Sequence, residues 1–201
     1  MLFRSLSNGS RRLTGAVVVA AGAHSPELVP GLPVVPRKGH LVITDRQPGL
    51  VRSQLVELGY LQSAHAFNSA SVAFNIQPRR TGQLLIGSSR ELVGFDGSIN
   101  RSLLHAMLER AARFVPAVSS TRVLRTWTGF RPATPDRLPL IGRWPSVPDL
   151  WIATGHEGLG ITMAPGTADL IVAGITGRPA PIDPTPFAPD RAMPPMPTVA
   201  A

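Results

Sequence analysis

The run from Leu150 to Ile175 leaves a folding chain few options. Leu150-Trp151-Ile152-Ala153-Thr154 is a short apolar segment rich in strand-forming residues. Gly155-His156-Glu157-Gly158-Leu159-Gly160 is a glycine-rich turn. Ile161 to Ile175 is an apolar stretch of helical length. The first N–H groups of such a helix have no internal partner, and its dipole is positive there. Glycines let a ligand approach the backbone closely. The run therefore reads in one of two ways. It is an anion or dipole site, or it is a strand-to-helix turn whose glycines serve backbone geometry alone. The glycines at 155, 158 and 160 do not have GxGxxG spacing, so the dinucleotide fingerprint is not among the options. Upstream, Gly129-Phe130-Arg131-Pro132 predicts a turn presenting one arginine, and Leu138 to Gly142 predicts a strand.

A chain of 201 residues can bury a real core. It has no cysteine, which excludes disulfides, thiolate metal sites and a cysteine nucleophile. The formal charge of +8 comes mainly from scattered arginines. A basic balance suits nucleic acid or an anionic cofactor. No Lys/Arg stripe interleaved with aromatics occurs, so nucleic acid is not an expected partner.

The N-terminal stretch admits two readings. Ser10-Arg11-Arg12-Leu13 followed by Ala16 to Ala23 imitates a twin-arginine export leader. The same residues read as a buried parallel strand, Ala16 to Ala20, ended by a turn at Gly22. The apolar run is far too short to span a bilayer, and no transmembrane segment is expected.

Pro30 to Pro36 is a proline-punctuated connector, followed by a strand at Leu41 to Thr44. Arg37 and Lys38 read as solvated charges at a sheet edge. Ser63 to Asn68 and Ala70 to Phe74 predict short strands. Gln77 to Gly82 is a turn before a strand at Gln83 to Gly87, together a hairpin. Ile99 to Phe114 has the period of an amphipathic helix, with Ser98 or Asn100 as its cap. His105 is a partly buried residue of that helix. Thr121 to Trp127 alternates as a strand. Gly177-Arg178-Pro179 ends the last helix. Residues 179–201 are rich in proline and small residues and predict a disordered tail.

Two motifs occur in a fixed order: Gly129-Phe130-Arg131-Pro132-Ala133-Thr134-Pro135-Asp136-Arg137-Leu138-Pro139-Leu140-Ile141-Gly142, then Gly155-His156-Glu157-Gly158-Leu159-Gly160-Ile161. Together they resemble the C-terminal segment of the D-amino acid oxidase-like FAD-dependent oxidoreductases. That family includes glycine oxidase, D-amino acid dehydrogenase and the catalytic chains of hydrogen cyanide synthase and opine oxidase. Val18-Val19-Ala20-Ala21-Gly22-Ala23-His24-Ser25 resembles the family's returning strand, which favours the strand reading over the leader. Gly82, Ile86, Gly87, Ser88 and Glu91 match a further family segment.

The resemblance implies an α/β to α+β fold. A mixed, largely antiparallel substrate-domain sheet joins the last strand and helix of a Rossmann-like FAD-binding domain. Its parts would be 1–29 (returning strand and turn), 30–126 (substrate sheet and helix) and 127–178 (C-terminal FAD-binding segment). The cofactor implied is FAD, near Ala21, Gly22, Gly155, Gly158, Leu159, Gly160, Ile161 and Thr162. Arg131 stands where amino-acid-oxidising members hold the substrate carboxylate. A guanidinium does this with two parallel hydrogen bonds; the rival reading is an ion pair with Asp136 or Asp149. His156 and Glu157 read first as turn residues, and Asp136 as a turn former. No protein group is required as a catalytic acid or base.

Two departures matter. Glycine oxidase-like members carry an arginine within the loop where this chain has Gly158. A GxGxxG unit is missing altogether, so the resemblance spans only the C-terminal half of a family member. The expectation is a cytoplasmic fragment or subunit acting on an amino acid or amine. A partner polypeptide would supply the dinucleotide-binding half or accept electrons. The alternative is a non-catalytic subunit without flavin of its own.

Overall fold

The computed structural model describes residues 2–5, 9–58 and 70–195. Among them the strands are β1 (Leu2–Ser5), β2 (Arg11–Thr14), β3 (Val17–Val19), β4 (Val35–Arg46), β5 (Leu55–Val56), β6 (Ser71–Pro78), β7 (Gln83–Arg90), β8 (Val123–Ala133), β9 (Leu140–Arg143) and β10 (Leu150–Thr154). The longer helices are α1 (Arg101–Phe114) and α2 (Gly160–Thr176). They form two compact units, one from Met1–Val35 with Arg131–Met196, the other built on Pro36–Phe130.

The first unit centres on a three-stranded sheet of order β3-β10-β9. β3 runs parallel to β10, with Val17 opposite Leu150 and Val19 opposite Ile152. β9 is antiparallel to β10, pairing Leu140 with Thr154. Alternation along these strands divides the core. Ile141 packs with Leu170 and Ile171 of α2, and with Trp151, Ala153 and Phe187. Val19, Leu140, Leu150 and Ile152 pack with Val29, Leu32 and Val34. β1 and β2 pair separately as an antiparallel hairpin. β3 has β10 on one side and no strand on the other among the described residues.

The second unit holds a five-stranded sheet, β5-β6-β7-β4-β8. The β6–β7 hairpin turns where the sequence predicts it, with Arg79 N–H bonded to Gln83 O and Gly82 N–H to Arg79 O. The apolar stripe of α1 places Met107 and Ala111 against Val42, Phe74, Ile76, Leu84 and Ile86. Asn100 caps α1 by accepting from Leu103 N–H at 3.2 Å. The mixed α/β class and the largely antiparallel second sheet agree with the expected fold.

Four readings need correction. Gly129-Phe130-Arg131-Pro132 is not a turn but the end of β8. β8 is an edge strand, where a proline without an N–H breaks no ladder. Arg37 and Lys38 are not solvated, since each is 1% exposed. Lys38 is buried because Glu91 and Asp96 neutralise it. His105 is largely exposed, pairing with Glu109 at 3.4 Å.

The fourth correction concerns the tail, of which residues 179–195 are described. They form an ordered strap, with Phe187 and Met193 packed on the two core clusters. Arg191 fastens it with all five of its N–H donors. Nε and one terminal nitrogen grip the Asp136 carboxylate at 2.6 and 2.8 Å, and the rest reach Leu138, Pro139 and Ala188 carbonyls. Replacing Arg191 by alanine is expected to cost the unit about 2 kcal/mol and to open residues 179–195 to protease. Limited proteolysis followed by mass spectrometry reads this directly; an unchanged cleavage rate there would show that the apolar contacts hold the strap alone. The predicted strands at Ser63 to Asn68 lie outside the described residues.

Candidate functional site

At the carboxyl ends of the two parallel strands, the turn after β3 and the loop after β10 meet. Thr154 donates its hydroxyl to Gly22 O at 2.9 Å, which ties one loop to the other. Gly22 and Gly155 both have positive φ, +56° and +80°, and Glu157 joins them at +49°. These are backbone states that glycine adopts freely and other residues adopt at a cost. A cavity of about 550 Å³ opens here, lined by Val18, Ala20, Gly22, Pro132, Ala153, Thr154, His156, Glu157 and Gly160, and along α2 by Ala164, Thr167, Ala168, Ile171 and Val172. That volume is of ligand size.

His156 is more than a turn residue. Its Nε2 lies 2.8 Å from Thr167 Oγ1, latching the loop to the second turn of α2. Burial lowers the His156 pKa below its ordinary value, so the ring stays neutral near pH 7. The helix N-terminus has no side-chain cap, as Leu159 occupies the cap position. A 3-10 turn, Glu157–Leu159, leads directly into it, and no side chain occupies its first N–H groups as a cap.

The predicted residues divide into three groups. Gly22 and Gly160 line the cavity. Ala21, Gly155 and Gly158 belong to the two loops but shape it rather than line it. Leu159 and Ile161 are 60% and 95% exposed, Thr162 is exposed beside them, and none of the three lines the cavity. Arg131, on β8, runs past the same loop. Its Cδ lies 3.9 Å from where a Cβ on Gly158 would stand. A Cβ there would touch the arginine at ordinary contact distance, so Gly158 and Arg131 are neighbours. Asp136, the rival partner for Arg131, is held by Arg191 instead. Burial opposes its charge, but Arg191 and Leu138 N–H outweigh that and hold its carboxyl below the usual range.

Sequence reasoning missed Pro132, Thr154 and Thr167. Thr167 had one signal, a hydroxyl on an otherwise apolar helix face. α2 and the turn before it, Glu157–Thr176, are long and apolar enough to cross a membrane by length and composition. Here α2 buries Thr167, Leu170, Ile171 and Ala173 on the sheet side.

Comparison with known proteins adds names to this geometry. The family profile described as "FAD dependent oxidoreductase" matches residues 4–173. Glycine oxidase of Pseudomonas aeruginosa is 33% identical over 177 residues, covering 86% of this chain and 45% of that protein. Hydrogen cyanide synthase subunit HcnC of the same organism is 31% identical, covering 92% of this chain and 42% of its own length. The crystal structure of glycine oxidase from Geobacillus kaustophilus superposes with a TM-score of 0.78 at 28% identity, covering 95% of this chain and 51% of that one. The chain spans about half the length of these relatives.

Proposed function

Because this chain belongs to the FAD-dependent oxidoreductase family, we propose that it is the C-terminal part of an enzyme that oxidises the C–N bond of an amino acid or related amine. One observation carries the reading: the Gly22 turn and the 155–160 loop meet at one cavity, and Arg131 runs against that loop. The residues fit one end of a flavin and not the whole of it. A glycine-lined loop and an uncapped helix start suit the electron-rich part of the ring system. Nothing in the sequence fits the adenosine half, which needs a GxGxxG turn. Bound FAD would supply the two-electron acceptor.

The chain's own groups then have defined tasks. Arg131 orients the substrate by its carboxylate, and bare Gly158 leaves room beside it. The first N–H groups of α2, from Gly160 to Thr162, favour negative charge near them. His156 and Thr167 hold the loop that sets those N–H groups in place. No side chain is assigned as general acid or base.

A second reading rests on a different observation. Among the described residues no strand pairs with the outer edge of β3, and Val18, Val172 and Ile175 are more than 40% exposed around it and on α2. Open edges and bare apolar faces ask for a partner. In this reading the chain is a partner-dependent, non-catalytic subunit that binds no flavin alone. The test is to incubate the purified chain with FAD, desalt it and record the visible spectrum. The same is done with a GxGxxG-bearing half, such as that of the Pseudomonas aeruginosa glycine oxidase, supplied in trans. The enzyme reading expects a yellow complex that substrate bleaches, and an Arg131→Ala version that keeps its flavin but no longer bleaches. A complex that forms and stays colourless would hand the case to the non-catalytic subunit.

A further inference from the structure

We infer that a second ligand site lies beneath the C-terminal strap, and that it takes an amphipathic monoanion: a carboxylate carrying an aromatic or branched apolar body. The site is a cavity of about 450 Å³ between the β9 side of the small sheet, the end of α2 and residues 180–190. Pockets of this volume hold small organic ligands.

Its construction favours an apolar body. Ile141, Trp151 and Leu170 form the floor, and Ala188 and Pro189 the roof. Two glycines allow the close packing. A Cβ on Gly174 would fall 2.4 Å from the Trp151 ring, and one on Gly142 would fall 3.1 Å from Pro189. The six-membered ring of the indole therefore lies close against the helix backbone at Gly174 and supplies an aromatic wall. The roof is not a loose loop, because Arg191 ties it to residues 136–139 with four hydrogen bonds and braces Ala188 with a fifth.

Charge at the rim selects the head group. Arg143 and Arg178 both line the cavity, both are exposed, and neither has a carboxylate partner among the described residues. Asp190 is the one acid that lines it. Two guanidiniums against one carboxylate leave a single positive charge, which a monoanion neutralises. A guanidinium holds a carboxylate through paired N–H donors.

The site is separate from the one assigned to flavin. The sheet order β3-β10-β9 puts the open β3 edge and the larger cavity on one side and this cavity on the other. The inference does not depend on flavin being bound, and its test uses none.

The whole chain is titrated with 4-phenylbutyrate and, separately, with 4-phenylbutylamine, matched in apolar body and opposite in charge. Calorimetry gives the affinity. The indole N–H of Trp151, assigned by a Trp151→Phe spectrum, gives the location. The carboxylate is expected to bind and move the Trp151 signal, and the amine to do neither. The double variant Arg143→Gln/Arg178→Gln is expected to weaken carboxylate binding about fivefold. Both residues are exposed, so its melting curve should match the parent. Equal binding of the amine, an unmoved Trp151 signal, or full affinity in the double variant would each overturn the assignment.

Discussion

Replacing Gly155 by alanine is expected to destabilise its unit by about 3 kcal/mol, from two independent penalties. The first is conformational. Gly155 has φ +80°, and a residue with a Cβ pays about 1–2 kcal/mol to sit there. The second is steric. The new Cβ would stand 2.6 Å from Thr134 Cγ2 and 3.3 Å from the Leu140 backbone nitrogen. Neither neighbour can give way easily. Thr134 is buried and donates its hydroxyl to Leu138 O, and Leu140 is locked opposite Thr154 in the sheet. Gly158→Ala is the control. Its nearest neighbour would be Arg131 Cδ at 3.9 Å, ordinary contact distance, so stability should stay within about 0.5 kcal/mol of the parent. Urea unfolding followed by tryptophan emission in a Trp127→Phe background reports this unit, through Trp144 and Trp151. A Gly155→Ala midpoint equal to that of Gly158→Ala would refute the steric argument. The contrast also separates two positions within one loop. Gly155 is required by the backbone and its close neighbours, whereas a Cβ at Gly158 would make only ordinary contact with Arg131.

This loop was the most legible part of the chain. Leu150–Thr154 is a strand at the predicted bounds, and α2 begins one residue before the predicted Ile161 and ends one after Ile175. Glycine punctuation and a change of period are local signals, and local signals survive translation into structure. Lys38 shows what does not survive. Its burial depends on Glu91 and Asp96, far along the chain, so a charged pair before a glycine reads as solvent-facing until its partners are known. Arg191 and Asp136 repeat the lesson across 55 residues, turning a proline-rich stretch into a fixed strap. The turn reading of residues 129–132 failed differently. Gly-Phe-Arg-Pro carries turn residues, and the edge position of β8 in its sheet accepted them as strand. The site's glycines were visible because three of them, at 155, 158 and 160, cluster between an apolar strand and an apolar helix. Thr154 and Thr167, which tie the loops together, stand outside that cluster, and Thr167 shows only as a hydroxyl on an otherwise apolar helix face.

Lys38→Met should cost the second unit about 3 kcal/mol or more, because it leaves a buried carboxylate without its cation. Lys38 Nζ lies 3.4 Å from Glu91 Oε2 and 3.2 Å from Asp96 Oδ2, and donates to Ser98 O at 3.2 Å. Asp96 is half exposed and can be rehydrated. Its carboxyl is held at about 2 mainly by hydrogen bonds from Ser98, with Lys38 adding to them. Glu91 has no such escape, being only 7% exposed. Its other oxygen accepts from Asn100 Nδ2 at 2.9 Å, and Asn100 in turn caps α1 and donates its N–H to His40 Nε2. Accepting that N–H requires His40 to be neutral. Burial, opposed by Glu91 and aided by Lys38, keeps its pKa below the ordinary value. Loss of the Lys38 charge therefore reaches β4, β7 and the first turn of α1 through one chain of hydrogen bonds. Removing both charges with Lys38→Met/Glu91→Leu should recover part of the loss, because no uncompensated ion is left behind. Urea unfolding gives the magnitudes, and amide exchange of residues 35–46, 83–90 and 101–104 gives the route. If the double variant loses as much as the two single losses added together, Lys38 and Glu91 do not stabilise one another, and the burial of Lys38 needs another cause.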